Sequence, residues 1–363
     1  MQLRRSRTSE TRSRSGRSRG LRVALAGVTC GVLAAGGVVA TSGPALAAKK
    51  ISSVPLIVYS AQGYDQAMVR AFQNATGILT ELDTNSTGPL LAQIQASKNN
   101  PHWGLLWVDG QTAFAELDDE HMLVRGYEPK VSFDTLGKSV VPKDKSFVPT
   151  GITLMAPVAY TSKVVKNPPT SWSTLLSPKW KGVVGMNTPS QSGPTYPFIA
   201  GMMNYFGSVA KGKQFFEKLK RNGLVVHTTN GPTLAALASG QIKLALVQSS
   251  AGIGAALGDH ALKVKYLSPV TLLPSCIGID AKAPKAVQLE AEKFIEFVLS
   301  TRGQKVMQSG DPTGDSLYYP VLRGIRPLPS LPPLTSVRTQ RINPYLWGPR
   351  QPALDNWFDS SIK

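Results

Sequence analysis

A chain of 363 residues with 40 Lys and Arg against 22 Asp and Glu carries a formal net charge of +18, and it has only two cysteines. Beyond the first residues its lysines are spread along the chain, without the dense basic block and interleaved aromatics of a nucleic-acid groove, so nucleic acid is not an expected partner. A solvated basic surface suited to anionic ligands or a cell envelope is the expectation instead.

Met1 to Arg22 holds eight arginines and one glutamate, Val23 to about Ala40 is apolar and charge-free, and Ala45-Leu46-Ala47-Ala48 closes the run with small residues before Lys49-Lys50. Basic, apolar, small is the order of a secretory signal, and the apolar run is short for a membrane span. The expectation is a signal peptide over residues 1–48, cleaved after Ala47 or Ala48, and a periplasmic or extracellular product. An uncleaved anchor is the alternative. Arg4-Arg5 lacks the apolar residues that follow a twin-arginine pair, and Gly27-Val28-Thr29 is a poor lead into a lipid-bearing Cys30. Loss of the leader removes eight of the 40 basic and one of the 22 acidic residues, leaving 315 residues with a charge of +11. That length suits two domains. Cys276 is then the single cysteine, so no internal disulfide forms. Its apolar setting, Leu272-Leu273-Pro274-Ser275-Cys276-Ile277, suits a buried small hydrophobe.

The mature chain opens with a β-rich run, Val54 to Tyr59. A helix from Tyr64 to Ala75 follows, with Met68, Ala71, Phe72 and Ala75 on one face and Gly77 placed to end it. Ile78 to Leu82 is a second strand, and Leu90, Leu91 and Ile94 follow at helical spacing. Gly104 to Val108 is a third, closed by Asp109-Gly110 and a helix through Leu117. Three strand–loop–helix units in under 70 residues argue for a parallel sheet with right-handed crossovers.

Ile152 to Tyr160 reads as a strand leaving this first unit, and Ser171 to Leu176 opens a short helix. A second α/β unit then runs through strand Val183–Met186, helices Thr195–Phe206 and Lys213–Arg221, strand Leu224–His227, helix Pro232–Ala238 and strand Leu244–Val247. Val264–Leu267 and Leu272–Ile279 read as strands returning to the first unit, and Val287–Leu299 as an amphipathic helix. The proline run Leu328 to Pro333 excludes regular structure. The tail beyond it carries Tyr345, Trp347, Trp357 and Phe358, enough aromatic surface to pack on a lobe. The resulting division is lobe 1 over 49–158 and 263–363, tail included, and lobe 2 over 159–262.

In open α/β sheets a ligand sits beyond the carboxyl ends of the strands. Five such loops are rich in hydroxyls and glycine, and their residues form the candidate site: Ser60, Ala61 and Gln62; Thr87 and Gly88; Ser190, Ser192, Gly193 and Thr195; Asn230 and Thr233; Gln248 and Ser249. Each can offer hydroxyls and helix-start N–H groups, which hold an anion without charged side chains. For any one loop, simple helix capping explains the same residues; five loops split between two lobes point to a shared cleft. Catalysis has no visible constellation. His102, His121, His227 and His260 lack metal-ligand spacing, and there is no nucleophile elbow and no H-E-x-x-H. Asp118-Asp119-Glu120 reads as a solvated helix end, and Asp311 and Asp315 read as turn formers. No cofactor and no metal are expected.

Val58-Tyr59-Ser60-Ala61, Ala71-Phe72 with Thr76-Gly77-Ile78, Pro178-Lys179-Trp180-Lys181-Gly182, Ser192-Gly193-Pro194 and Tyr319-Pro320-Val321 together resemble type II bacterial solute-binding proteins, over roughly residues 54 to 325. The branch is the one with ferric-iron, 2-aminoethylphosphonate and sugar-phosphate binders. The resemblance implies two Rossmann-like α/β lobes joined by two hinge crossings, closing over one ligand, and a monomer that docks on the permease and ATPase subunits of an ABC importer. Ferric binders of this kind use a second-lobe tyrosine pair and often a first-loop histidine. Here those stretches read Val247-Gln248-Ser249-Ser250-Ala251 and Ala61-Gln62-Gly63-Tyr64, while Tyr318-Tyr319 matches a structural position. Iron(III) needs hard anionic oxygen ligands, so a phosphonate or organophosphate is favoured, with ferric, thiamine or polyamine ligands as alternatives. An exported enzyme or an envelope adhesion protein is the alternative of another class.

Overall fold

The computed structural model describes residues 54–311 and 314–363, so the leader lies outside the described residues. Among the described residues no helix is long and apolar enough to cross a membrane.

The first three strands and helices follow the sequence pattern closely. β1 (Leu56–Ser60), β2 (Thr80–Thr84) and β3 (Leu105–Asp109) are linked by α1 (Asp65–Thr76) and α2 (Thr87–Ala96), and β1 pairs in parallel with both other strands. α1 buries Met68, Val69 and Phe72 on one face and stops at Gly77, whose φ of 70° is the left-handed conformation that a side chain would strain. α3 (Gln111–Asp119) and the short α4 (Thr135–Lys138) lead to β4 (Val148–Met155).

Where one strand was expected over Ile152–Tyr160, two form. β4 joins the first sheet, and β5 (Val158–Thr161) joins the second. Ala156 and Pro157 separate them, because Pro157 has no N–H to continue a ladder. β6 (Val184–Asn187), α5 (Thr195–Tyr205), α6 (Val209–Arg221), β7 (Val225–His227), α7 (Asn230–Ala238), β8 (Leu244–Leu246) and α8 (Ser249–Gly258) build the second unit. β9 (Leu262–Lys265) was expected to return to the first lobe. It instead pairs antiparallel with β5 and edges the second sheet, whose order is β7-β6-β8-β5-β9. The return crossing is Tyr266–Pro269, just before β10 (Val270–Ile279). All ten residues of β10 are buried, and it pairs antiparallel with β3 on one edge and β4 on the other. Buried on both faces, it shows no polar–apolar alternation, and its Thr271 and Ser275 are buried along with the leucines. Cys276 lies in it, fully buried and unpaired.

α9 (Lys285–Val298) and α10 (Thr301–Ser309) cover the first sheet, Phe294 packing edge-on against Phe72 and Trp107. The tail then departs from its expected place on the first lobe. β11 (Thr339–Gln340) extends the first sheet beside β10, and α11 (Pro344–Trp347) sends the Tyr345 hydroxyl to Asp118 Oδ2 of α3 at 3.0 Å. α12 (Gln351–Ser361) instead packs on the second lobe. Leu354, Phe358 and Ile362 share a core with Trp172, Phe198 and Phe216, and Lys220 Nζ donates to Ser361 O at 2.9 Å. The apolar face of α12 fits the aromatic side of α6, with the Phe216 and Phe358 rings 5.9 Å apart at 75°. The tail therefore spans both lobes.

If α12 is part of the second-lobe core, Phe358→Ala should cost about 3–5 kcal/mol, the range for emptying a buried aromatic site. Denaturant unfolding followed by tryptophan fluorescence measures it. A loss below about 1 kcal/mol would mean that α12 is only loosely docked.

Candidate functional site

The carboxyl ends of β1, β3, β6 and β8 face one another across the two lobes. Between them lies a cavity of about 250 Å³, lined by Ala61–Gly63, Thr84–Thr87 and Asp109 from the first lobe and by Gln191–Pro194, Thr229–Gly231 and Gln248 from the second, with Asp315 from the loop after α10. No Lys, Arg or His is among these lining residues. α2, α7 and α8 all start at this cavity, so the positive ends of three helices converge on it.

The floor is held by a hydrogen-bonded cluster centred on Asp109, which is 5% exposed. Gln248 Nε2 and Tyr318 Oη donate to its Oδ2 at 2.8 Å each, and Gln62 Nε2 donates to Oδ1 at 3.3 Å. Gln248 belongs to the second lobe and the other two to the first, so one carboxylate ties the lobes together. Burial pushes the Asp109 carboxyl up to about 6, against the opposing pull of its three donors. Because Gln62 turns its amide nitrogen to Asp109, its Oε1 is left buried without a donor. Asp315 forms a second bridge: Asn230 Nδ2 donates to its Oδ2 at 3.3 Å and Ser250 Oγ to its Oδ1 at 3.0 Å. Burial raises this carboxyl as well.

Asn187, at the end of β6, orients the second-lobe wall. Its Nδ2 donates to Ser192 Oγ at 3.1 Å and to Asn230 Oδ1 at 2.8 Å, while Thr233 Oγ1 donates to Asn187 Oδ1 at 2.6 Å. Asn187, Asp109 and Asp315 were not among the candidates. The signal that could have found Asp109 is its place as the last residue of a buried strand, where ligands sit in such sheets. Asp315 had no comparable signal.

The expected residues divide into two groups. Ala61, Gln62, Thr87, Ser192, Gly193, Asn230 and Gln248 line the cavity. Ser60, Gly88, Ser190, Thr195, Thr233 and Ser249 stand behind it with other tasks. Ser60 Oγ accepts the Gln62 N–H at 3.1 Å and shapes the first loop. Ser249 Oγ accepts the Leu154 N–H at 3.0 Å, next to the hinge. Thr233 anchors Asn187, and the Ser190 hydroxyl pairs with Thr188 at 3.3 Å. The loop before α5 differs from expectation: the Ser192 and Thr195 N–H groups are already bonded to Thr188 O and Ser192 O at 3.0 Å, and the Thr195 hydroxyl is fully buried. Of that loop, Gln191–Pro194 reach the cavity and Ser190 and Thr195 do not.

The lobes touch at its rim. The Gly88 N–H donates to Gln191 O at 3.3 Å. A Cβ on Gly88 would lie 1.9 Å from Ser190 O, and one on Gly193 would lie 2.3 Å from Thr87 Oγ1. Glycine is needed at both places for close approach.

A hinged pair of α/β lobes with a polar cavity between them defines a class, the two-lobed binding proteins. Residues 67–322 match the model of the bacterial extracellular solute-binding protein family, and the chain belongs to that family. It is an exported, solute-binding type of protein, whose relatives bind rather than transform small molecules. A Salmonella paratyphi A periplasmic protein named for 2-aminoethylphosphonate binding is 24% identical over 247 residues, 66% of this chain and 70% of that one. Among solved structures, AfuA from Actinobacillus pleuropneumoniae with fructose-6-phosphate superposes with a TM-score of 0.75 at 19% identity, covering 85% of this chain and 98% of that one. Iron-bound HitA from Pseudomonas aeruginosa gives 0.70 at 20% identity, covering 84% and 98%.

Gly88→Ala tests whether the close approach of the rim is the ligand-bound arrangement. The free protein should unfold more easily than the parent, by roughly 1–3 kcal/mol, because the added Cβ meets the Ser190 carbonyl and precedes Pro89 in the helix. Ligand affinity should fall at least tenfold. Calorimetry and denaturant melts read the two quantities; an unchanged dissociation constant would separate binding from this contact.

Proposed function

We propose that this chain is the solute-binding component of an ABC import system, and that its ligand is a small phosphonate or organophosphate that also carries an ammonium group. The observation behind the reading is the make-up of the cleft: helix N-termini and hydroxyls for an oxyanion, two carboxylates for a cation, and no basic side chain lining it. Thr87, Ser192 and Gly193 are the residues we assign to the anionic group. Asp315, with the unpaired Gln62 Oε1, is assigned to the ammonium. A bare dianion would meet the buried Asp109 and Asp315 without compensation, at a cost that grows in a low dielectric. The name of the Salmonella relative, a binder of an aminophosphonate, supports the same class.

A second reading, a purely cationic ligand of the thiamine or polyamine kind, draws on the same two carboxylates. The ferric reading has less support. Gln248 is engaged by Asp109, Tyr318 donates to that carboxylate, and Tyr319 Oη donates to Pro332 O at 2.5 Å, so this tyrosine pair is committed to the fold. Permease and ATPase subunits are the proposed partners, and export by the leader is proposed to leave Ala48 or Lys49 as the first residue. N-terminal sequencing of exported protein checks that end; an intact Met1 in a membrane fraction would overturn cleavage.

Calorimetry with 2-aminoethylphosphonate, ethylphosphonate and putrescine decides among the ligand readings. The aminophosphonate should bind at least tenfold more tightly than ethylphosphonate, a charge-assisted contact being about 1.5–3 kcal/mol. Asp315→Asn should remove most of that difference. Equal binding of ethylphosphonate would sink the ammonium assignment, and tight binding of putrescine alone would favour the cationic reading.

A further inference from the structure

The contact between Gly110 and Pro197, where a Cβ on the glycine would lie 3.1 Å from the ring Cγ, divides the space between the lobes. On one side is the polar cleft. On the other is a larger cavity of about 450 Å³, within the size range of small-molecule sites. Its wall is made by three parts of the chain: Val140, Phe147, Ile152 and Leu272 from the first lobe and its hinge strands, Pro197 from α5, and Ile342 from the tail. Gln111 Nε2 donates to Val140 O at 2.9 Å and fixes one side of this wall.

The charged groups lining this cavity are two cations and one carboxylate. Lys143 and Arg341 both line it and are exposed, and neither is in an ion pair among the described residues. Asp144 lines it too, but Arg125 Nε sits 3.3 Å from its Oδ2 and Ser146 donates to its Oδ1. The cations remain available and the carboxylate does not. An apolar interior beside two unpaired cations is the complement of an amphiphilic anion.

We propose that this cavity is a second binding site, for a small molecule with an apolar body and one anionic head group, of the medium-chain carboxylate class. The apolar body fills the space between Val140, Phe147, Leu272 and Ile342, and the head group meets Lys143 and Arg341. This site shares no lining residue with the polar cleft, so it stands whatever the cleft binds.

Octanoate, octanol and acetate, titrated separately into the purified protein by calorimetry, test the proposal. Octanoate should bind with one-to-one stoichiometry, and octanol (same tail, no charge) and acetate (same charge, no tail) each at least tenfold more weakly. Arg341→Ala combined with Lys143→Ala should weaken octanoate about tenfold and leave octanol unchanged. Leu136→Trp, which puts an indole at a half-buried lining position, should block octanoate while 2-aminoethylphosphonate titrates as in the parent. The comparison of the three probes on the unaltered protein stands even if that variant fails to fold. Octanol binding as tightly as octanoate, or no octanoate binding up to millimolar concentration, would overturn the assignment. So would octanoate binding that neither set of substitutions alters.

Discussion

A carboxylate cut off from water must be surrounded by donors, because an unpaired buried charge costs several kcal/mol. Asp109 meets that requirement from both sides of the cleft at once. Gln62 and Tyr318 approach it from the first lobe and Gln248 from the second, so the geometry of the floor cannot be met by either lobe alone. The rest of the site is arranged around this point. Gln62 keeps an oxygen without a donor because its nitrogen is committed, and α8 starts where Gln248 is held. Asp315, carried by the first lobe, adds a second bridge by accepting from Asn230 and Ser250 of the second.

The two carboxylates also change what the cleft asks of a ligand. Helix N-termini alone would favour any oxyanion. With Asp109 and Asp315 in place and no lysine or arginine lining the wall, the site presents both signs of charge within about 250 Å³. Specificity of this kind works by penalty as much as by attraction, since a ligand of one sign leaves the opposite groups buried and uncompensated.

Much of the architecture was legible in the sequence, and the reasons are local. Strand–helix units with turn glycines, such as Leu56 through Gly77, declare themselves through periodicity, and the hydroxyl-rich loops at the strand ends gave seven of the cavity-lining residues. What escaped depended on distant partners. Asp109 read as the polar stop of a strand and Asp315 as a turn former, because Gln248, Asn230 and Ser250 lie elsewhere in the sequence. Thr195 and Ser249 have the composition of ligand residues, yet packing commits them to the interior. The split of β4 from β5 and the pairing of β9 with β5 were missed because short apolar runs carry no label for the sheet they join. The tail's aromatics announced packing, but the expected first lobe was wrong for α12, which joins the second-lobe core.

That tail alters the mechanics of the whole molecule. Two strand crossings, at Ala156–Pro157 and Tyr266–Pro269, form a simple hinge, and such a hinge resists bending and twisting only weakly. Here a third segment leaves the first sheet at Gln340, touches α3 through Tyr345, and is anchored in the second-lobe core by Phe358. Gln340 Nε2 also donates to Gly201 O of α5 at 2.9 Å, tying the segment at its point of departure. Separating the lobes therefore involves re-seating this third segment as well as bending the two strand crossings.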